Sequence, residues 1–243
     1  MISKALFKRD LKISWKMFAI ITGVMMLLMF ALFFATSSME GSGGMVIQQF
    51  YSLFASLMPV FYIGSTANKL IAAQIDNGSF AVVMSAPLKR RKVALTQACF
   101  LILSVLLMYF LFFLIGLIAF AIWGELVEMG LFLKLNFGCC LLNLAIAGIA
   151  YLSTCLFNTS AKCTAIGIGV PLGFFLLYVV GTFFGSNKLL SYCKYLTINS
   201  LYNPTDILAG SSNVIWQMGV LGLITIGLFV AGEAVFRKKD LPL

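Results

Sequence analysis

Apolar residues run along this chain in six long stretches separated by short polar ones, at about 17–36, 47–74, 93–123, 131–157, 163–185 and 214–236. A helix needs about 20 predominantly apolar residues to cross the hydrocarbon core of a bilayer, so the pattern predicts six transmembrane helices. The third stretch carries no charge from Val93 to Trp123. It is too short for two crossings, and its surplus length predicts a tilt or an extension beyond the hydrocarbon. The second is interrupted by Pro59, Asn68 and Lys69 and is the least regular. The expected fold class is an all-α membrane protein, a six-transmembrane-helix bundle forming one domain over residues 1–243, with an N-terminal amphipathic interfacial helix and a short cytoplasmic coupling helix.

An even number of crossings puts both termini on one side. With these spans, Lys134, Lys188 and Lys194 fall on the opposite side, and the rest of the 17 lysines and arginines share the side of the termini. The positive-inside rule then predicts cytoplasmic N- and C-termini and a multi-pass protein of the cytoplasmic (inner) membrane. The first apolar run follows basic residues and precedes the small residues Ala35 to Ser38, as in a cleaved signal. Its length of roughly 20 residues exceeds a usual signal core, so it reads as a retained helix.

Composition agrees with lipid as the main solvent. Hydrophobic residues make up 61% of the chain and charged residues 10%, with a mean hydropathy of +1.03, whereas a soluble surface carries about 25–35% charged residues. The net charge of +9 reads as charge asymmetry across the membrane rather than as a nucleic-acid footprint, so no nucleic-acid partner is expected. Histidine is absent and no G-x-x-x-x-G-K-[ST] phosphate loop occurs. No catalytic residue, metal site or cofactor is therefore expected in this chain, and any ATP-driven function needs a partner subunit. The six cysteines form no disulfide framework or C-x-x-C pair and read as small buried residues; only Cys193 sits in a long polar stretch.

Three polar segments carry further signals. At the N-terminus, Lys4, Lys8, Lys12 and Lys16 recur every four residues beside an apolar row of Phe7, Leu11, Trp15 and Phe18. That pattern predicts an amphipathic interfacial helix over residues 1–16, or a plain basic membrane anchor. In the segment 76–92, Asn77 and Gly78 predict a turn, Ser79 a helix cap and Pro87 a helix stop. The short helix so bounded, Phe80 to Ser85, projects Phe80, Val83 and Met84 from one face, either as a docking element for a soluble partner or as side chains dipping into the lipid interface. The outer segment 186–213 contains Leu189, Leu190, Tyr192, Tyr195 and Leu196, predicting an interfacial or re-entrant piece, and Tyr202 to Pro204 mark a turn before the last crossing.

Within the crossings, Gly169, Gly173, Gly181 and Gly185 fall on one row of the fifth, a small-residue stripe suited either to intrachain packing or to the seam of a dimer. Pro171 in the same helix predicts a kink. Lys69, Asp76, Lys134 and Glu233 all lie near helix ends; Glu233 is spaced to pair with Arg237 and Lys69 to snorkel, so no ion relay is required.

Taken in order, six crossings, a basic amphipathic N-terminus, the acid-x-Gly-Ser turn Asp76, Gly78 and Ser79, and then Ser85, Pro87 and Lys89 resemble the membrane permease of type-2 ABC (ATP-binding cassette) exporters. Asn203 and Pro204 before the sixth crossing and the ending Phe236 to Leu241 also look like that family, although Asp76 stands where a glutamate is frequent. The resemblance implies an ATPase-coupling segment at Asp76, Gly78, Ser79, Phe80, Val83, Met84 and Pro87, and an interfacial connecting helix carrying Phe7, Leu11 and Trp15. It further implies two copies of an ABC ATPase subunit that bind ATP and Mg, a second copy of the permease, and outer re-entrant helices in segment 186–213. Export of amphipathic peptides or other hydrophobic compounds suits apolar walls rich in Phe and Met. The alternative is a secondary transporter working without an ATPase, for which central acids or helix breaks in two equivalent halves are expected and not found.

Overall fold

A computed structural model describes residues 3–36, 43–80, 90–124, 127–183 and 194–239. Its elements are α1 (Lys4–Thr36), α2 (Gly43–Gln49), a π-helical turn (Phe50–Phe54), α3 (Ala55–Leu70), α4 (Ala72–Asp76), α5 (Arg90–Trp123), α6 (Met129–Leu156), α7 (Ser160–Phe183), α8 (Pro204–Leu208) and α9 (Asn213–Lys238). Among the described residues there is no strand. Six helical stretches are long and apolar enough to cross a membrane. The chain is thus an all-α, multi-pass membrane protein, and its second crossing is assembled from α2, the π turn, α3 and α4.

Two expected boundaries move. No break separates residues 4–16 from the first crossing: α1 is one helix of 33 residues, about 50 Å long. Its N-terminal turns are held to the bundle, because the Ser3 backbone N–H donates to Thr96 Oγ1 at 3.1 Å and Phe7 meets Phe100 edge to face at 5.2 Å. The segment before the last crossing is helical in short pieces, with 3-10 turns at Lys194–Leu196 and Ile198–Leu201 followed by α8. Asn203 and Pro204, read as a turn, start α8: the Asn203 side chain accepts from the Thr205 N–H and Pro204 occupies the first turn, where a missing N–H costs nothing.

The core is organised around α6, which packs against α3, α5, α7 and α9, while α1 lies outside on α3 and α5. Some 78% of the apolar window of α6 is buried, against 22% in the first, fifth and sixth crossings. Close approach is set by glycines on facing helices. A Cβ on Gly232 would stand 2.7 Å from the Tyr151 ring and one on Gly148 2.8 Å from Leu228 Cβ, so α6 and α9 meet almost backbone to backbone. A Cβ on Gly64 would collide with Ile168, and the same face of α7 places Gly167 against Ala150 and Ser153.

The second crossing runs on through Pro59, and the chemistry that allows this is identifiable. Pro59 has no N–H, so the carbonyl of Ala55, four residues earlier, loses its helical donor. In a bilayer that carbonyl must find a partner within the protein. It accepts from the Tyr109 hydroxyl of α5 at 2.7 Å and from Asn143 Nδ2 of α6 at 3.3 Å. Asn143 also donates to Tyr109 at 2.6 Å. Just before it, the π turn shifts the backbone pairing so that Ala55 N–H bonds to Phe50 C=O, and Ser56 Oγ donates to Tyr51 C=O at 2.7 Å. Tyr51, fully buried, takes a donor from Asn136 at 3.0 Å.

Tyr109→Phe combined with Asn143→Ala removes both donors from the Ala55 carbonyl and is expected to cost about 1–3 kcal/mol of stability. In a Pro59→Ala background, which returns a backbone N–H to that carbonyl, the same pair is expected to cost clearly less. Reversible unfolding in mixed micelles reads both, and equal losses in the two backgrounds would count against the assignment.

Candidate functional site

The sequence segment singled out for coupling lies at the end of the bundle that carries both termini. α3 stops at Leu70 because Ile71 leaves the helical region (φ −127°, ψ −67°). The carbonyls this exposes are taken up by side chains: Gln97 Nε2 of α5 donates to Leu70 at 2.7 Å, and Gln74 Nε2 to Lys69 at 3.0 Å. α4 then delivers Asp76 to the start of α7, where its carboxylate accepts the Ser160 backbone N–H at 3.1 Å while Asn68 Nδ2 donates to Ser160 Oγ at 2.7 Å. Asp76 therefore acts as a cap supplied from across the chain, satisfying a donor that the first turn of a helix leaves open.

Beyond Asp76 the chain turns through Gly78, whose φ of +68° lies in the left-handed region open to glycine. Ser79, expected to cap the following helix, donates backward to Gln74 C=O at 3.3 Å. Phe80, expected as an outward docking side chain or one dipping into lipid, does neither: it is 2% exposed and meets the Phe236 ring of α9 edge to face at 6.2 Å. A large ring next to a glycine turn gains more from an apolar partner inside the chain than from the surface. Val83, Met84 and Pro87 lie outside the described residues, as do Ser85, Lys89 and Cys193. Among the described residues, a shallow groove of about 430 Å³ here is bordered by Arg9, Ile13, Lys69, Ala73, Gln74, Asn77 and Ser79.

The end of α9 closes this face. Lys239 Nζ donates to the Phe157 carbonyl at 2.7 Å and to Thr154 at 3.4 Å, placing a cation on the C-terminal carbonyls of α6. Burial holds its ammonium below the ordinary lysine value. Arg90 donates to the Lys239 carbonyl at 3.0 Å. Glu233, expected to pair with Arg237 along its own helix, pairs with Arg91 of α5 at 2.8 Å, because α5 and α9 start and end side by side. None of these contacts was visible as a local motif; the basic run Arg237 to Lys239 was the only hint.

No protein-family model matches the chain, and no curated protein matches it either. Of the interfacial row, Phe7 packs on Phe100, while Leu11 and Trp15 are exposed and border a cavity of about 180 Å³ between α1, α3 and α5. Of the glycine row, Gly169 and Gly173 face open space, with nothing within 4 Å of where a Cβ would stand. Among the described residues it is Gly167 and Ile168 on the neighbouring face that meet α3. Gly181 is buried and Gly185 lies outside the described residues. Among the described cysteines, Cys139, Cys140, Cys155 and Cys163 are buried free thiols.

Phe80→Ala is expected to destabilise the protein by about 3 kcal/mol, the cost of deleting a buried phenyl ring. In a double-mutant cycle with Phe236→Ala the two should couple by about 0.5–1.5 kcal/mol, and additive losses would separate the rings. Asp76→Ala should cost about 1 kcal/mol while Asp76→Asn, which keeps an acceptor, costs less; thermal unfolding in detergent distinguishes them.

Proposed function

We propose that this chain is the permease subunit of an ATP-driven type-2 ABC exporter, working as a dimer with two separate ATPase subunits that bind ATP and Mg. The observation that carries the reading is the order of features along the chain: a basic first helix, a second crossing broken before an Asp76-x-Gly78-Ser79 turn, four further crossings, and an Asn203-Pro204 helix start before the last. Under this reading both termini and the turn face the cytoplasm, as the distribution of lysine and arginine favours.

With Phe80 turned inward, the coupling surface is assigned to the groove bordered by Arg9, Asn77 and Ser79, and Phe80 becomes the anchor that fixes the turn from behind. The capped start of α7 at Asp76 would carry movement of that turn into the fifth crossing. The vacant face of Gly169 and Gly173 suits the second permease copy, since small residues allow close helix approach. An apolar, aromatic groove between α5 and α6, lined by Phe110, Phe113 and Phe137 with Asn136 at its wall, fits an amphipathic peptide or similar hydrophobic cargo.

The test is purification of the tagged chain from its native membrane in mild detergent, followed by identification of bound proteins and a vanadate-sensitive ATPase assay. A stoichiometric ATPase is expected to copurify. Asn77→Trp with Ser79→Trp, which fills the groove at two exposed positions, should lower its recovery about tenfold, equivalent to about 1.4 kcal/mol of binding. A lone oligomer without hydrolysis would instead favour a secondary transporter.

A further inference from the structure

The cavity between α1, α3 and α5 is a feature the transport reading does not use. It opens on the outer surface of the bundle through Leu11, Trp15, Leu103 and Leu107, each about half exposed, and Phe18 and Tyr62 form its floor. Its wall offers little to a polar ligand. The two serine hydroxyls in it are engaged by backbone carbonyls of their own helices, Ser14 with Asp10 and Ser104 with Leu101, each at 2.8 Å. An apolar chain is what such a wall accommodates.

The mouth of the cavity is basic, and the register of α1 makes it so. Phe7, Leu11 and Trp15 line the cavity, and three residues before each stands an exposed lysine: Lys4, Lys8 and Lys12. Side chains three apart are neighbours on a helix surface. Helical side chains also lean toward the N-terminus, so each ammonium extends away from the hydrocarbon while its stem covers apolar surface. Because α1 is about 50 Å long and the hydrocarbon core about 30 Å thick, the lysine turns stand at headgroup height while Phe18 lies in the apolar run. The carboxylate of α1, Asp10, is buried and paired with Arg9 at 3.0 Å.

We propose that this cavity is a binding site for an anionic phospholipid, one acyl chain lying between α1 and α5 and the charged headgroup held by Lys4, Lys8 and Lys12. The site is independent of any ATPase partner and of the cargo.

The natural reporter is Trp15, one of three tryptophans in the chain. A full-length W123F/W216F variant leaves it as the only one. Reconstituted into phosphatidylcholine bilayers, this protein is tested with small equal fractions of phosphatidylglycerol or phosphatidylcholine brominated on the acyl chains. Brominated phosphatidylglycerol is expected to quench Trp15 as strongly as about a tenfold higher fraction of brominated phosphatidylcholine, the enrichment that several lysines at an anionic headgroup support. Added K4Q/K8Q/K12Q should abolish the preference. L103F/L107F, which fills the cavity and keeps the lysines, should lower it as well. Equal quenching by the two lipids, an unchanged preference in the lysine variant, or an unchanged preference with the cavity filled would each overturn the proposal. So would loss of the preference on adding inorganic phosphate at constant ionic strength, since that would assign the site to free phosphate.

Discussion

The carbonyl of Ala55 is the constraint around which the inner bundle is arranged. A proline in a crossing leaves a strong acceptor without its donor where there is no water to supply one. Tyr109 and Asn143 supply donors from two different helices, so a defect in the second crossing fixes the rotation of the third and fourth at the same level. Cys139 belongs to the same cluster, its sulfur 3.2 Å from the Tyr109 hydroxyl. The polar residues at the centre of this bundle thereby serve the backbone, and the central position of α6 follows from its supplying Asn136, Cys139 and Asn143 on one side and glycines on the other.

The basic end of the bundle is organised by helix termini. Where a helix starts or stops it leaves donors or acceptors open, and at three such places a side chain from elsewhere meets them: Gln97 at the end of α3, Asp76 at the start of α7, Lys239 at the end of α6. The result is a face on which the second, third, fourth, fifth and sixth crossings are tied to one another by directional contacts, with the Phe80 and Phe236 rings as the apolar seal beneath.

The architecture was legible in the sequence because lipid demands long apolar runs, and six of them are unmistakable between Met17 and Phe236. The residues that serve the fold were legible as types but not as partners. Pro59 suggests an interruption, yet α3 continues through it, and nothing local connects it to Tyr109 or Asn143. Glu233 sits at the right spacing for Arg237, and the helix offers that pair in isolation; only the antiparallel neighbour brings Arg91 closer. Phe80 follows a glycine turn in a polar segment and so reads as an exposed knob, because its partner Phe236 is remote in sequence. The row Gly169 and Gly173 is visible in the sequence as small, but Gly64 on α3 meets Ile168 and the Gly167 carbonyl on the neighbouring face of α7.

The π turn at Phe50–Phe54 carries one residue more than a regular helix would place there. The extra residue offsets the segment before it by about 100° about the helix axis from where an uninterrupted helix would place it. The second crossing is therefore two rods of different phase, and the offset turns Ile47 of Gly43–Gln49 into the core while Pro59 and the Ala55 carbonyl hold the other side in place.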